Sequence, residues 1–294
     1  TDGERDSLYI ATVDAEGKMT KDLIGSLPFD NLIPWDIKVS PAGIIHATVF
    51  VRRDEEVNMF RHGNSAVYHV YGTPGSFSVS QVSANNSDAE DTTDNIYNVT
   101  AFDYPLLSLD GETAQIIYEA DSYLDTDYDD FLIFAAGNGT YSRSQAFNLD
   151  ELGETTGNRV TAPTLETMVM PQQFSDVPTI GLFDISDYEP RYLYKTGNNW
   201  NEAYIAYMPQ GFLRIKDLNL IADDKGKYHF LYHYDAGSND DTKEQIVHLS
   251  IDGASNELVR TVELPDNVYQ FSPATIDIKD NNMLYGFFYF NGSK

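Results

Sequence analysis

Five acids recur near the start of what will emerge as a repeated strand: Asp36, Asp103, Glu166 and Asp217, with Asp277 slightly deeper in the last copy. Carboxylates held close together do one of two things. Like charges raise the pKa of one partner and so split the set into an acid and a base, or they recruit a hard cation. Hydrolysis of a glycosidic bond asks for the first arrangement: two carboxylates across the scissile bond, one kept protonated, with a third to tune it. Trp35 beside Asp36 offers a sugar-stacking platform, or equally an aromatic plug in the core. A second acidic stretch, DSYLDTDYDD, puts five aspartates into residues 121–130. Asp125, Asp127 and Asp129 alternate as in a calcium loop. The glycine and the closing glutamate of an EF-hand are missing, so the candidate there is a different calcium cradle. Composition alone is the competing explanation. Asp and Glu make up 46 of 294 residues, and Asp opens strands for turn reasons.

Other chemistries are excluded. There is no cysteine, hence no disulfide, thiolate zinc site or thiol nucleophile. No nucleophile elbow, phosphate-binding loop or dinucleotide fingerprint occurs. His46, His62, His69, His229, His233 and His248 lack metal-ligand spacing and are expected to be structural. The net charge of −27 and pI near 4.3 repel nucleic acids and anionic membranes. Cations, neutral sugars and basic proteins remain as partners. No stretch approaches 18 apolar residues, so membrane insertion is not expected. The polar start without a signal-peptide pattern fits a mature or a trimmed chain, and four Asn-x-Ser/Thr sites, at Asn85, Asn98, Asn138 and Asn291, point weakly to secretion and only for a eukaryotic source.

The elements that would position these acids are strands. Aromatics reach 13%, with 20 Tyr and 16 Phe, and short runs of Val, Ile, Tyr and Phe are punctuated by Gly, Asn, Asp and Pro. One unit recurs, consisting of a strand, a tight polar turn and an aromatic strand. It spans residues 35–50, 102–120, 164–184, 217–235 and 274–290, with turn markers 50 to 68 residues apart. A second hairpin follows each unit except the last (66–82, 130–147, 191–207 and 244–264), and residues 7–27 supply the missing one from the other end of the chain. Four-stranded antiparallel repeats that close through the termini predict an all-β chain forming one β-propeller domain over 1–294. The count is five blades, the last shared between the two ends. Six blades and a two-sheet sandwich are the alternatives.

With strands labelled A to D outward from the channel, the B–C connections fall on one face. Residues 52–58, 121–130, 184–190 and 235–244 occupy them, each carrying carboxylates, so this face is expected to be acidic. Strand A would bring its acids to the mouth of the channel on the same side.

The strand DDKGKYHFLYHYD (223–235), echoed by SPAGIIHATVF (40–50), resembles the D-x-x-G-x-x-H-x-x-Y strand of sialidase-like, carbohydrate-processing propellers. KTGNNW (195–200) resembles an Asp-box turn that lacks the leading Ser and the Asp. Five blades with acids at the inner strands of the first three are similar to arabinanase and fructosidase glycosidases. That resemblance implies Asp36, Asp103 and Glu166 as base or nucleophile, orienting group and acid, with Trp35, Asp217 and His229 in contact with the sugar.

These readings converge on an extracytoplasmic propeller that recognises a glycan or small molecule, with glycoside hydrolysis open to it. The alternative is a non-catalytic sensor, adhesin or interaction module whose acidic face meets a protein partner, with Ca²⁺ the one cofactor suggested.

Overall fold

A computed structural model describes residues 7–26, 32–51, 66–83, 99–124, 127–148, 170, 179–183, 190–205, 214–223, 225–235, 245–263, 270–279 and 282–290. Every regular element among them is a strand. In chain order these are β1 (Ser7–Val13), β2 (Met19–Ser26), β3 (Leu32–Val39), β4 (Ile45–Val51), β5 (Ala66–Thr73), β6 (Ser76–Gln81), β7 (Val99–Asp110), β8 (Thr113–Leu124), β9 (Asp127–Ala136) and β10 (Ser142–Asn148). They continue with β11 (Thr179–Phe183), β12 (Pro190–Thr196), β13 (Asn199–Tyr204), β14 (Arg214–Ala222), β15 (Tyr228–Asp235), β16 (Gln245–Asp252), β17 (Ser255–Glu263), β18 (Gln270–Lys279) and β19 (Asn282–Phe290). Among the described residues no helix is long and apolar enough to cross a membrane.

The chain divides into two compact units, 1–151 and 152–294. The first holds the hairpin β1–β2 and two four-stranded sheets, β3-β4-β5-β6 and β7-β8-β9-β10. The second holds the three-stranded β11-β12-β13, the four-stranded β14-β15-β16-β17 and the hairpin β18–β19. Every sheet is an antiparallel meander in chain order, the unit that propellers repeat. The first part of the expected unit 164–184, before β11, falls mostly outside the described residues.

Local chemistry explains the hairpins. Asp14, Ser40 and Asp223 each open the same turn. Its residue i N–H donates to the i+4 carbonyl, and a glycine at i+3 (Gly17, Gly43, Gly226) takes φ near +80°. The side chains reinforce it, as Asp14 Oδ1 accepts from the N–H of Lys18 and Asp223 Oδ1 from that of Lys227.

The DSYLDTDYDD stretch differs from the expected loop. The β8–β9 ladder runs straight through it, pairing Asp121 with Asp130, Ser122 with Asp129, Tyr123 with Tyr128 and Leu124 with Asp127. Residues 125–126 lie outside the described residues. Two tyrosines, strong strand formers, sit at one rung inside the acidic run.

The first unit's core lies between its two four-stranded sheets. Phe50, Val67 and Val82 meet Leu107, Leu109, Ile116, Tyr118 and Ile133, and Trp35 and Tyr141 pack at the margin. The other face of β3–β6 takes the β1–β2 hairpin through Leu8, Val49 and Val70. Both faces of this sheet are therefore covered, and the polar groups on the inner face need internal partners.

Candidate active site

Asp36 stands in β3 immediately after a one-residue bulge, in which Trp35 is the extra residue. Bulges bend a strand and redirect its side chains. Here the Asp36 carboxylate turns to the neighbouring sheet. Its Oδ2 accepts the backbone N–H of Leu107 at 3.0 Å, and its Oδ1 accepts that of Ile37 at 2.8 Å and lies 3.1 Å from Lys38 Nζ. Beside it Thr48 Oγ1 donates to the Pro105 carbonyl at 2.6 Å. The two bonds secure β7 where its own bulge, between Asp103 and Leu106, interrupts the ladder. Asp36 is thus a fastening between sheets with both oxygens engaged.

The other strand acids sit at different depths. Counted from the first ladder pair after each turn, Asp277 is at the third rung and Asp36 at the fourth. Asp217 falls in a bulge between the fifth and the seventh, and Asp103 is at the seventh. At 3.3 Å per residue the spread is about 13 Å along the strand direction. The residue at Asp36's rung in β14 is Asn219, not an acid. A bulge of one extra residue does recur in β3, β7, β14 and β18, and in β7 it lies beside Asp103.

Directly across from Asp103, on β8, is Glu119. It is 8% exposed, in a strand otherwise filled by Ile116, Ile117, Tyr118 and Ala120. Cross-strand neighbours lie about 4.5–5.5 Å apart at Cβ. Sequence reasoning passed over Glu119. The available signal was a single acid inside the apolar run IIYEA.

Of the remaining expected site residues, Trp35 is half-buried and packs edge-to-face on Phe50, with centroids 5.7 Å apart. Glu166 and Asp125 lie outside the described residues. Asp127, Asp129 and Asp217 are assigned here only by ladder position. Among the described side chains no group of three or more His, Asp or Glu is arranged to hold a metal.

His229 belongs to a second feature, a pair of hydrogen-bonded imidazoles that occurs twice. On β4 and β5, His46 Nδ1 lies 3.1 Å from His69 Nε2. On β15 and β16, His229 Nδ1 lies 3.0 Å from His248 Nε2. The register is the same in both: the first histidine follows the first ladder pair, and the second lies two rungs diagonally beyond it. The surroundings differ. His69 Nδ1 continues to Tyr141 Oη at 2.9 Å, in the segment between β9 and β10. His46, 1% exposed, has no hydrogen-bond partner for Nε2 among the described residues. In the second pair His229 Nε2 meets Asp223 Oδ2 at 3.4 Å.

Burial governs the titration of all four rings. His69 is pushed down to about 3 by burial and then by His46. His248 is pushed down to about 4 by burial and then by His229. His46 is lowered by burial against the charge of Glu112. His229 is lowered by burial against the hydrogen bond and charge of Asp223. For Asp223 burial acts upward, but the N–H groups of Lys227 and Lys225 together with His229 hold it below its usual value. Tyr141 is raised to about 12, mainly by burial, with a backbone hydrogen bond from Gly139 opposing.

No family model and no curated protein matches the chain. Solved structures do. It is similar to a Trypanosoma rangeli sialidase in complex with sialic acid (12% identity, TM-score 0.47, covering 97% of this chain and 46% of that one). It is also similar to a Hadza microbial sialidase (11%, 0.46, 80% and 46%) and to the Bacillus subtilis arabinanase Arb43A (12%, 0.37, 88% and 93%). These are the enzyme classes that the strand pattern resembles. The chain spans less than half the length of either sialidase. With every one of these TM-scores below 0.5, no role is transferred from them to a residue here.

Proposed function

We propose that the chain is a carbohydrate-recognising β-propeller of five blades, acting outside the cytoplasm, that hydrolyses glycosidic bonds with Asp103 and Glu119 as its carboxylate pair. The observation that carries this is the buried Glu119 directly opposite Asp103, beside the β7 bulge. In such a pair one carboxyl serves as acid, and the other serves as nucleophile or base. Glu166, in the second unit, is a further candidate carboxylate. Asp36 is a positioning residue, which fastens β7 through the Leu107 N–H. Trp35 is a sugar contact of the first unit, Asp217 and His229 are sugar contacts of the second, and Asp125, Asp127 and Asp129 bind calcium.

The test compares the parent chain with Glu119→Gln, Asp103→Asn and Glu166→Gln on a panel of aryl glycosides and on a glycan array, with circular dichroism as a check on folding. Loss of hydrolysis by about 10²-fold or more, with glycan binding kept, is the expected result for Glu119 and Asp103. Parent-like turnover in both variants overturns the pair.

A second reading is a non-catalytic recognition module. It is favoured by Asp36, whose oxygens are both taken up by framework contacts. A parent chain that binds glycans and turns over none of the panel decides for it. Neither binding nor hydrolysis overturns both readings. The calcium proposal is checked separately, by a melting temperature that rises with CaCl₂ in the parent and not in Asp127→Asn.

A further inference from the structure

The polar chain buried between the two four-stranded sheets of the first unit lies apart from the carboxylate pair. Its members are His46 on β4, His69 on β5 and Tyr141 in the segment after β9, joined at 3.1 Å and 2.9 Å. The last bond crosses from one sheet to the other. The rings of His46, His69 and Tyr71 lie near-parallel at the corners of a triangle, with centroids 5.0 to 6.3 Å apart, and Tyr141 stands edge-on to His69. His46 and His69 are 1% and 0% exposed.

Bond directions follow from the one open position. If Tyr141 donated to His69, then His69 would donate to His46, and the His46 Nε2–H would be a buried donor without an acceptor. Running the chain the other way leaves a bare lone pair on His46 Nε2, and buried orphan N–H groups are the rarer and costlier case. His46 Nδ1–H therefore donates to His69 Nε2, and His69 Nδ1–H donates to Tyr141 Oη. In this state the proton-accepting atom of the chain is His46 Nε2.

We propose that this chain is an acid-released lock between the sheets β3–β6 and β7–β10. A proton added to the pair puts a charge in a dry seam without a contacting carboxylate, and water reaches it only if the sheets part there. The groups around the pair are Lys38 and Asp36 from β3, Tyr71 from β5, Glu112 from the β7–β8 turn and Tyr141 after β9, with Tyr118 of β8 in the adjoining core and Arg143 on β10 bonded to Val82. β6 contributes Ser80. None of them serves as the missing acceptor. Lys38 is cationic and already lies 3.1 Å from Asp36, the Arg143 Nε–H donates to the Val82 carbonyl, and Glu112 is exposed, with Oε1 accepting the Ala42 N–H at 3.0 Å. Burial holds His69 down at about 3, which supports the neutral, closed state at ordinary pH. The twin pair in the second unit has what this one lacks, an Asp223 carboxylate at the corresponding nitrogen.

The test follows hydrogen exchange of the full chain between pH 7.5 and 3, comparing peptides covering 44–50 and 137–148 with peptides covering 228–235 and 245–252. Imidazole carbon–proton NMR signals report each ring. In the parent, the first set is expected to lose protection at a higher pH than the second, by about one pH unit. Ser40→Asp places a carboxylate where Asp223 stands in the twin and is expected to move the first opening to lower pH by a similar amount. Simultaneous opening of both sets in the parent, or an opening pH that Ser40→Asp leaves unmoved, overturns the lock. His46→Phe is a second check, since it removes the nitrogen at which the chain takes up its proton. Its 137–148 peptides should lose protection at a lower pH than in the parent, and a loss at the parental pH also overturns the proposal.

Discussion

The two imidazole pairs are built alike and finished differently. Each follows a four-residue turn closed by glycine, and each joins the second and third strands of a four-stranded sheet at the same diagonal. At the residue that opens the turn the first has Ser40 and the second Asp223. Ser40 Oγ accepts one backbone N–H, that of Ile44. Asp223 accepts two with Oδ1, from Lys225 and Lys227, and still offers Oδ2 to His229. One carboxylate thus satisfies the turn and terminates the imidazole chain. Where it is missing, the chain runs the opposite way, into Tyr141 of the next sheet, and becomes a contact between sheets. The same repeat element serves a turn in one place and an inter-sheet seam in the other.

The comparison breaks most severely at His69. It is fully buried and bonded at both nitrogens. His69→Ala would leave a cavity and strand both Tyr141 Oη and His46 Nδ1. A loss of about 3–4 kcal/mol is expected, read as a lower urea midpoint at unchanged slope. Next in size is the effect of pH. Folded His69 and His248 take up protons only near pH 3 and pH 4, whereas an exposed histidine does so near 6.5. As pH falls the unfolded chain binds protons first, so the stability from the neutral rings is complete above about pH 6.5 and drains away toward pH 4 for His248 and pH 3 for His69. Urea midpoints at pH 7.5, 5.5 and 4.5 should fall in that order. A flat profile removes the burial argument for both pairs. Asp223→Ser converts the second turn into the first. It loses one backbone acceptor and the partner of His229, for about 1–2 kcal/mol at neutral pH. It should also lower the His229 pKa further, visible in its NMR titration, because the opposing charge is gone.

Much of the hairpin pattern was legible in the sequence, because turn glycines and alternating aromatics mark strands locally. Residues 35–50, 66–82, 217–235 and 244–264 each form the paired strands that their pattern predicts. What stayed hidden depends on register. An extra residue such as Trp35 shifts every later rung without altering composition, so acids aligned by eye at strand starts stand at rungs three to seven. DSYLDTDYDD has the composition of a loop, yet cross-strand tyrosines carry the ladder through it. His46, His69, His229 and His248 lack metal-ligand spacing in the sequence, and in the fold they bond to one another in pairs. Their pairing joins residues 23 and 19 positions apart and follows only from the ladder. Glu119 was hidden for the same reason, since its partner Asp103 lies across a turn and beyond a bulge.

The smallest effect tests the direction of the first chain. Tyr141→Phe keeps the ring that packs edge-on against His69 and removes only the hydroxyl. If His69 Nδ1–H donates to Tyr141 Oη, the variant leaves a buried N–H without an acceptor and should cost about 1 kcal/mol. His69 can escape part of that cost by moving its proton to Nε2 and donating to His46 Nδ1. That switch would change the nitrogen chemical shifts of both rings together. The second pair has no tyrosine in this role, so His229 and His248 should keep their shifts. A coupled change confined to His46 and His69 makes the seam one hydrogen-bonded unit, whereas a change at His69 alone reduces it to two independent contacts.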